Sequence, residues 1–183
     1  EIIDQNEFYS PTLNKELNEN LSSISKSIVL PMGEVNLTRK VKSLLILFRT
    51  NTNVEIWDQN RKRIFENPKI EYVLRSLFSL IKSIKKLKKQ NKDIEVILKV
   101  VDDNSNEENL KKIKNLLLLS SLNFEIINHS FKDHKNFIKE QKSEETFANL
   151  SSLLKCFELG KSEGKDLIFF VEDDYLHFEE SLE

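Results

Sequence analysis

Acidic residues follow two apolar runs of the chain, and their positions indicate a site for a divalent cation. Glu172-Asp173-Asp174 comes directly after the run 167–171, and Asp102-Asp103 follows the run 94–101. Carboxylates held close together at the end of a sheet that excludes water repel one another unless a cation neutralises their charge. Magnesium and manganese bind one or two carboxylates together with phosphate oxygens and water. The chemistry expected here is neutralisation of a diphosphate leaving group by Mg²⁺ or Mn²⁺.

Strand periodicity divides these carboxylates into different roles. Because alternate side chains of a strand share a side, Glu172 and Asp174 should lie together, with Asp173 on the other side. We predict Asp174 as the direct metal ligand and Glu172 as a partner that reaches the metal, a bound water or a ribose hydroxyl. Asp102 and Asp103 can accept hydrogen bonds from a base or a ribose. The alternative is structural, since Asp, Asn and Ser commonly turn a strand into a helix.

The elements that position these residues alternate between strands and helices. Mainly apolar segments predict four strands, at 44–48, 94–101, 124–127 and 167–171, and the first of them reads as a strand buried on both faces. Apolar residues spaced by three and four predict helices after Asn67-Pro68, from Glu107, and from about Ser143 to Leu159, with Gly160 as the terminator of the last.

This alternation predicts an α/β fold with a doubly wound, mostly parallel sheet in a three-layer sandwich. The polar segments 49–53, 102–105 and 172–174 all follow the carboxyl ends of strands. Ligands of such sheets bind at this edge, near the point where strand order reverses. We therefore expect the three segments to meet around one ligand.

Four segments, in the same order and with similar spacing, resemble motifs of family 2 glycosyltransferases with the GT-A fold. Val100 to Ser105 reads V-V-D-D-N-S and resembles their V-V-D-D-G-S, and Phe170 to Asp174 resembles their F-L-D-x-D. Phe147-Ala148-Asn149 stands in the place of A-R-N, and Phe48 to Asn51 in the place of P-x-Y-N. The resemblance covers roughly residues 42–177. The sequence departs from the motifs at Asn104, Glu172, Ala148 and Phe48-Arg49.

The resemblance implies transfer of a sugar from a nucleotide diphosphate sugar to an acceptor hydroxyl, with inversion and with a metal. It implies that Asp102, Asp103, Asn149 and the region of Thr50 contact the nucleotide, and that Asp174 and Glu172 hold Mn²⁺ or Mg²⁺. UDP-sugars are the first donor candidates, and the acceptor would be a glycan or glycolipid of polysaccharide biosynthesis. The family's catalytic base follows the metal motif, in a half that we expect downstream of Glu183. No catalytic residue is therefore assigned.

The composition of the chain narrows the classes of partner and of protein that remain to be considered. The 28 Lys and Arg nearly balance the 30 Asp and Glu, leaving a net charge of −2, so nucleic acid is not an expected partner. Cys156 is the single cysteine and excludes an intrachain disulfide. No apolar run reaches the roughly 20 residues of a membrane-spanning helix. We expect a cytoplasmic domain at 42–183, able to lie at the inner face of the membrane, after a linker or extension at 1–41.

Other functions stay open at this stage. A noncatalytic receiver-like or nucleotide-binding interaction domain could use the same acidic strand ends to bind magnesium, and a degenerate transferase could bind nucleotide without turnover. A phosphoryl-transfer enzyme is disfavoured because the chain contains no glycine-rich phosphate loop. His177 lies close enough in sequence to Asp174 to be considered as a further ligand, although lone histidines more often pack near a site than ligate in it.

Overall fold

The computed structural model describes residues 9–10, 15–16, 40–53, 67–134, 136 and 144–182. The chain divides into two compact units, residues 1–40 and 41–183. The described part of the first unit is a pair of two-residue antiparallel strands, β1 (Tyr9–Ser10) and β2 (Lys15–Glu16). The rest of the predicted linker up to residue 39 lies outside the described residues.

The second unit alternates strands and helices as the sequence predicts. Its elements in chain order are β3 (Ser43–Thr50), α1 (Lys69–Gln90), β4 (Glu95–Asp103), α2 (Glu107–Ser120), β5 (Phe124–His129), a 3₁₀ helix (Phe131–His134), α3 (Glu144–Glu163) and β6 (Leu167–Glu172). No helix within the described ranges is both long and apolar enough to cross a membrane.

The four strands of this unit form one parallel sheet in the order β5-β4-β3-β6. One face packs against α1 and α2 through Leu44, Ile46 and Phe48, while Leu45 and Leu47 pack on the other face near Cys156 of α3. The predicted doubly wound α/β sandwich is thus confirmed. The chain leaves β3 toward β4 on one side and returns with β6 on the other, so the strand order reverses at β3.

Glycine has a different role at the end of α3 from the one predicted. The helix does not terminate at Gly160 but runs on to Glu163, and Gly164 follows it. A Cβ atom on Gly160 would approach the Phe170 ring to 3.1 Å, and one on Gly164 would clash with Ile168 at 2.4 Å. The prediction was wrong because both glycines serve close packing of α3 on β6, which helix-end signals do not reveal.

Candidate functional site

The carboxyl ends of β3, β4 and β6 bring the predicted polar segments to one edge of the sheet. In the parallel register Thr50 lies opposite Asp102 on β4, and Arg49 lies opposite Glu172 on β6. The reversal of strand order lies between β3 and β6, where Arg49 and Glu172 meet. The edge at which this fold class binds ligands therefore carries both acidic segments.

Asp173 points to the α1 face and is held by the protein itself. Its Oδ2 atom accepts hydrogen bonds from the Thr50 hydroxyl at 2.9 Å and the Asn51 backbone N–H at 3.2 Å. Its Oδ1 atom lies 3.2 Å from the Lys69 ammonium at the start of α1. With a donor or cation at each oxygen, Asp173 joins three segments and is a structural residue.

Glu172 lies on the opposite face, where it pairs with the Arg49 guanidinium. The same guanidinium donates to the backbone carbonyl oxygen of Asn149 at 2.9 Å and to the Asn149 side-chain oxygen. A predicted metal partner and a predicted nucleotide contact are thus brought together by an arginine. The sequence did not assign a role to Arg49, because its pairing depends on a register between residues more than 120 positions apart.

Asp174 is exposed and forms no ion pair with any residue that the structure describes. Its pKa is raised by desolvation and by the negative charges of Asp173 and Glu172. These charges favour a cation near Asp174. Among the described residues, however, no group of three or more His, Cys, Asp or Glu side chains is arranged to hold a metal ion. A metal at this edge would depend on Asp174, on release of Glu172 from Arg49, and on ligand oxygens.

Asp102 and Asp103 are buried at the end of β4, and each has an oxygen without a hydrogen-bond partner among the described residues. Asp102 accepts the Ser105 backbone N–H at 2.9 Å through its other oxygen, and burial raises its pKa. Asp103 receives a long 3.5 Å hydrogen bond from the Asn51 amide, and burial raises its pKa to about 6. A buried carboxylate oxygen without a donor is costly, and a ligand hydroxyl or N–H would satisfy it.

The loops after β3 and β4 are tied to each other beside these carboxylates. The Thr52 N–H donates to the Ser105 hydroxyl at 2.8 Å, and the Asn53 amide donates to the Asn104 carbonyl at 2.6 Å. Asn104 has φ of 62°, a left-handed conformation that asparagine tolerates better than most residues with a Cβ. The departure from glycine at this position is therefore compatible with the turn.

The two remaining predicted nucleotide contacts are already engaged within the protein. Thr50 is 1% exposed, and its hydroxyl is bonded to Asp173. Asn149 is exposed at the first turns of α3 but accepts from Arg49 through both oxygens. A ligand at this edge would meet Asn51 and Arg49 more directly than the Thr50 side chain.

A cavity of about 530 Å³ opens beside Arg49 and Glu172 along β6. Tyr175 and Leu176, which follow Asp174, line its wall together with His177. The His177 ring lies edge-on to the Phe169 ring, and the two ring centroids are 6.1 Å apart. Its Nε2 atom is buried and has no hydrogen-bond partner among the described residues. Its backbone N–H donates to the Ser79 hydroxyl of α1. These contacts with Phe169 and Ser79 are on the α1 face of the sheet.

A pair of buried histidines forms a second polar cluster that the sequence pattern missed. His129 Nε2 and His134 Nδ1 each lie 2.8 Å from the Ser151 hydroxyl of α3. The other ring nitrogen of His134 lies 3.2 Å from Glu158. The strand predicted at 124–127 extends to His129, and a 3₁₀ helix ends at His134. Spacings of 17 and 22 residues leave no local pattern by which to find the cluster.

Cys156 lies in the core on the α3 face of the sheet. Burial raises the pKa of its thiol to about 11, so the thiol stays protonated and is a poor nucleophile.

Neither the protein-family models nor the curated proteins compared with this chain give a match.

Proposed function

We propose that residues 41–182 bind the donor of a metal-dependent glycosyltransferase. The observation that carries this proposal is the grouping of two buried, incompletely satisfied carboxylates and one exposed, unpaired carboxylate at the carboxyl edge of the sheet. Asp102 and Asp103 each present an unpartnered oxygen, and Asp174 lacks an ion pair among the described residues. Structural acidic residues are normally satisfied, as Asp173 is, whereas unsatisfied ones cost stability and fit a ligand that supplies donors and a cation.

The residues have complementary roles in this proposal. Asp102 and Asp103 accept hydrogen bonds from the ribose or base of a nucleotide diphosphate sugar, with uridine as the first base to test. Asp174 and Glu172 hold Mn²⁺ or Mg²⁺ beside the diphosphate. When bound, the cation would neutralise the charge that develops on the diphosphate as the sugar leaves. The acceptor is a glycan or glycolipid hydroxyl, and its deprotonation is not assigned to any residue of this chain.

A noncatalytic receiver-like domain is the second candidate, and the topology disfavours it. Receiver folds place the third strand of the chain next to the first, on the side away from the second. Here the third strand of the parallel sheet, β5, lies beyond β4, and the fourth strand, β6, takes the place next to β3. This order is the one typical of dinucleotide-binding sheets. It supports a nucleotide ligand for the edge over a regulatory phosphorylation site.

Calorimetric titration of uridine diphosphate into the chain, with Mn²⁺ and then with chelator, tests the proposal. We expect binding that requires the metal and that weakens at least about tenfold in Asp174→Ala, which corresponds to about 1.4 kcal/mol. Glu95→Gln is the matched control, because Glu95 is an exposed carboxylate at the amino end of β4, paired with Lys165. Its binding should equal that of the unaltered chain. The proposal fails if the folded chain binds none of the uridine, guanosine, cytidine and thymidine diphosphates with either metal.

A further inference from the structure

Arg49 occupies a position between two groups that the proposed donor site needs. It lies directly opposite Glu172 in the register of β3 and β6, on the α3 face of the sheet. One guanidinium nitrogen pairs with Glu172, and the other donates to Asn149 and lies 3.4 Å from the Ser152 hydroxyl. The Arg49 side chain is 14% exposed and that of Glu172 is 50% exposed. Arg49 thus ties the candidate metal partner to the first turns of α3.

This pairing conflicts with metal binding by the same carboxylate. A Glu172 oxygen that accepts from a guanidinium is less available to a divalent cation, and the two positive charges repel each other. Asp174 follows Glu172 by two residues and lacks an ion pair among the described residues. Metal binding by Glu172 would therefore require Glu172 to leave Arg49.

We propose that Arg49 is a latch, which holds Glu172 in the ligand-free protein and transfers to the diphosphate oxygens of the donor when the metal-bound diphosphate enters. The inference rests on the proposed donor site and adds a positioning residue to it. A guanidinium suits this exchange because its planar set of N–H donors fits carboxylate and phosphate oxygens equally well. No covalent step is involved, since one set of charge-assisted hydrogen bonds replaces another.

Lys69 does not fit this role, although it is a cation at the same edge. It is paired with Asp173, which is 7% exposed and also holds Thr50 and Asn51 on the α1 face. Breaking that pair would disturb three segments of the fold. The partner of Arg49 is half exposed and lies beside the cavity along β6, so its release disturbs only the surface of the edge.

The latch predicts effects of opposite sign for the metal alone and for the metal with nucleotide. In Arg49→Met, Mn²⁺ alone should bind about fivefold more tightly than to the unaltered chain, because a competing cation is removed. Uridine diphosphate in the presence of Mn²⁺ should bind about tenfold more weakly, because its phosphates lose a charge-assisted partner. A purely structural role for Arg49 would shift both affinities in the same direction.

Electron paramagnetic resonance of free Mn²⁺ measures the first affinity, and calorimetry of uridine diphosphate at saturating Mn²⁺ measures the second. Lys165→Met is the matched control, since Lys165 pairs with Glu95 at 3.2 Å at the opposite edge of the sheet. Neither affinity should change in this variant. If Arg49→Met does not fold, Arg49→Gln carries the test with the same expected signs, because glutamine can still donate to the Asn149 carbonyl.

The outcomes separate the latch from the donor site. Unchanged or weaker Mn²⁺ binding in the Arg49 variant, or equal shifts of both affinities, overturns the latch even when the unaltered chain binds uridine diphosphate. Absence of Mn²⁺ binding by both the unaltered chain and the variant also overturns it. Absence of nucleotide binding by the unaltered chain overturns the donor site itself, whatever Mn²⁺ does alone.

Discussion

Replacing Asp103 by asparagine should stabilise the protein at neutral pH relative to acid pH. Asp103 is 3% exposed, one of its oxygens lacks a described partner, and its pKa rises from 3.8 to about 6. Burial is the main cause of the rise, and the neighbouring Asp102 charge adds to it. At 1.36 kcal/mol for each pKa unit, keeping this carboxylate ionised costs the folded state at most about 3 kcal/mol.

The sign of the pH dependence follows from which state binds the proton. The folded pKa lies above the unfolded one, so the cost is fully present above about pH 6. As the pH falls, the folded state takes up a proton before the unfolded state does, and the cost is relieved. Between pH 7.5 and pH 5 the relief is about 1.4 kcal/mol by this linkage, or about 1 kcal/mol after screening by water at an open edge.

Urea unfolding of the unaltered chain and of Asp103→Asn at pH 7.5 and pH 5 measures this term. The stability change caused by the substitution should be more favourable at pH 7.5 than at pH 5 by about 1 kcal/mol. Differences in packing between asparagine and aspartate affect stability equally at both pH values and cancel in the comparison. Glu95→Gln, at an exposed carboxylate, should give the same small change at both. Equal changes for Asp103→Asn at the two pH values would refute the reasoning.

Two further predictions follow from the hydrogen bonds of the site and of the histidine pair. Asp173→Asn should destabilise the protein by about 2 kcal/mol in urea unfolding, because it leaves the Lys69 charge without its partner. Asp174→Asn should cost less than about 0.5 kcal/mol. Equal effects of the two substitutions would contradict the proposed division between structural and binding carboxylates. Burial lowers the pKa of His129, and the neighbouring His134 and Lys155 lower it further, although Asp133 and Glu158 act in the opposite direction. The stability that neutral His129 contributes is therefore present above pH 6.5 and is lost as the pH falls. His129→Gln, which can keep a hydrogen bond to Ser151, should therefore show a smaller fall in melting temperature from pH 7.5 to pH 5 than the unaltered chain, and equal falls would rule out His129 as the cause.

Sequence periodicity predicted the strands because each contributes apolar residues to the sheet, most completely in β3, whose residues pack on both faces. The run 44–48 falls within β3, 94–101 coincides with most of β4, and 167–171 falls within β6. A central parallel strand such as β3 must be apolar on both faces, whereas β6 lies at one side of the sheet and leaves Leu167, Ile168 and Phe170 exposed. The position of the acidic segments at the carboxyl edge then follows from connectivity, because every strand of this sheet runs in the same direction.

The sequence alone could not predict which residues form ion pairs and hydrogen bonds with the site residues. Alternation along β6 correctly separates Asp173 from Glu172, but it does not say that Lys69 meets the first and Arg49 the second. Those pairs depend on β6 lying next to β3, an order set by how the helices pack and not by any local pattern. The same holds for the two histidines, whose shared partner Ser151 comes from α3.

The carboxylates at this edge differ in how completely the fold satisfies them, and the less satisfied ones are those proposed to bind the donor. Asp173 has a donor or cation at each oxygen, so its charge stabilises the loops around it. Asp103 receives one long hydrogen bond, and its other oxygen has no hydrogen-bond partner among the described residues. Its negative charge therefore lowers the stability of the folded protein. If the carboxyl edge were only a turn region, an uncharged residue at 103 would serve the fold better. In the proposed donor site a ligand would donate to Asp103 and offset this cost, so Asp103→Asn should gain stability and lose nucleotide affinity together.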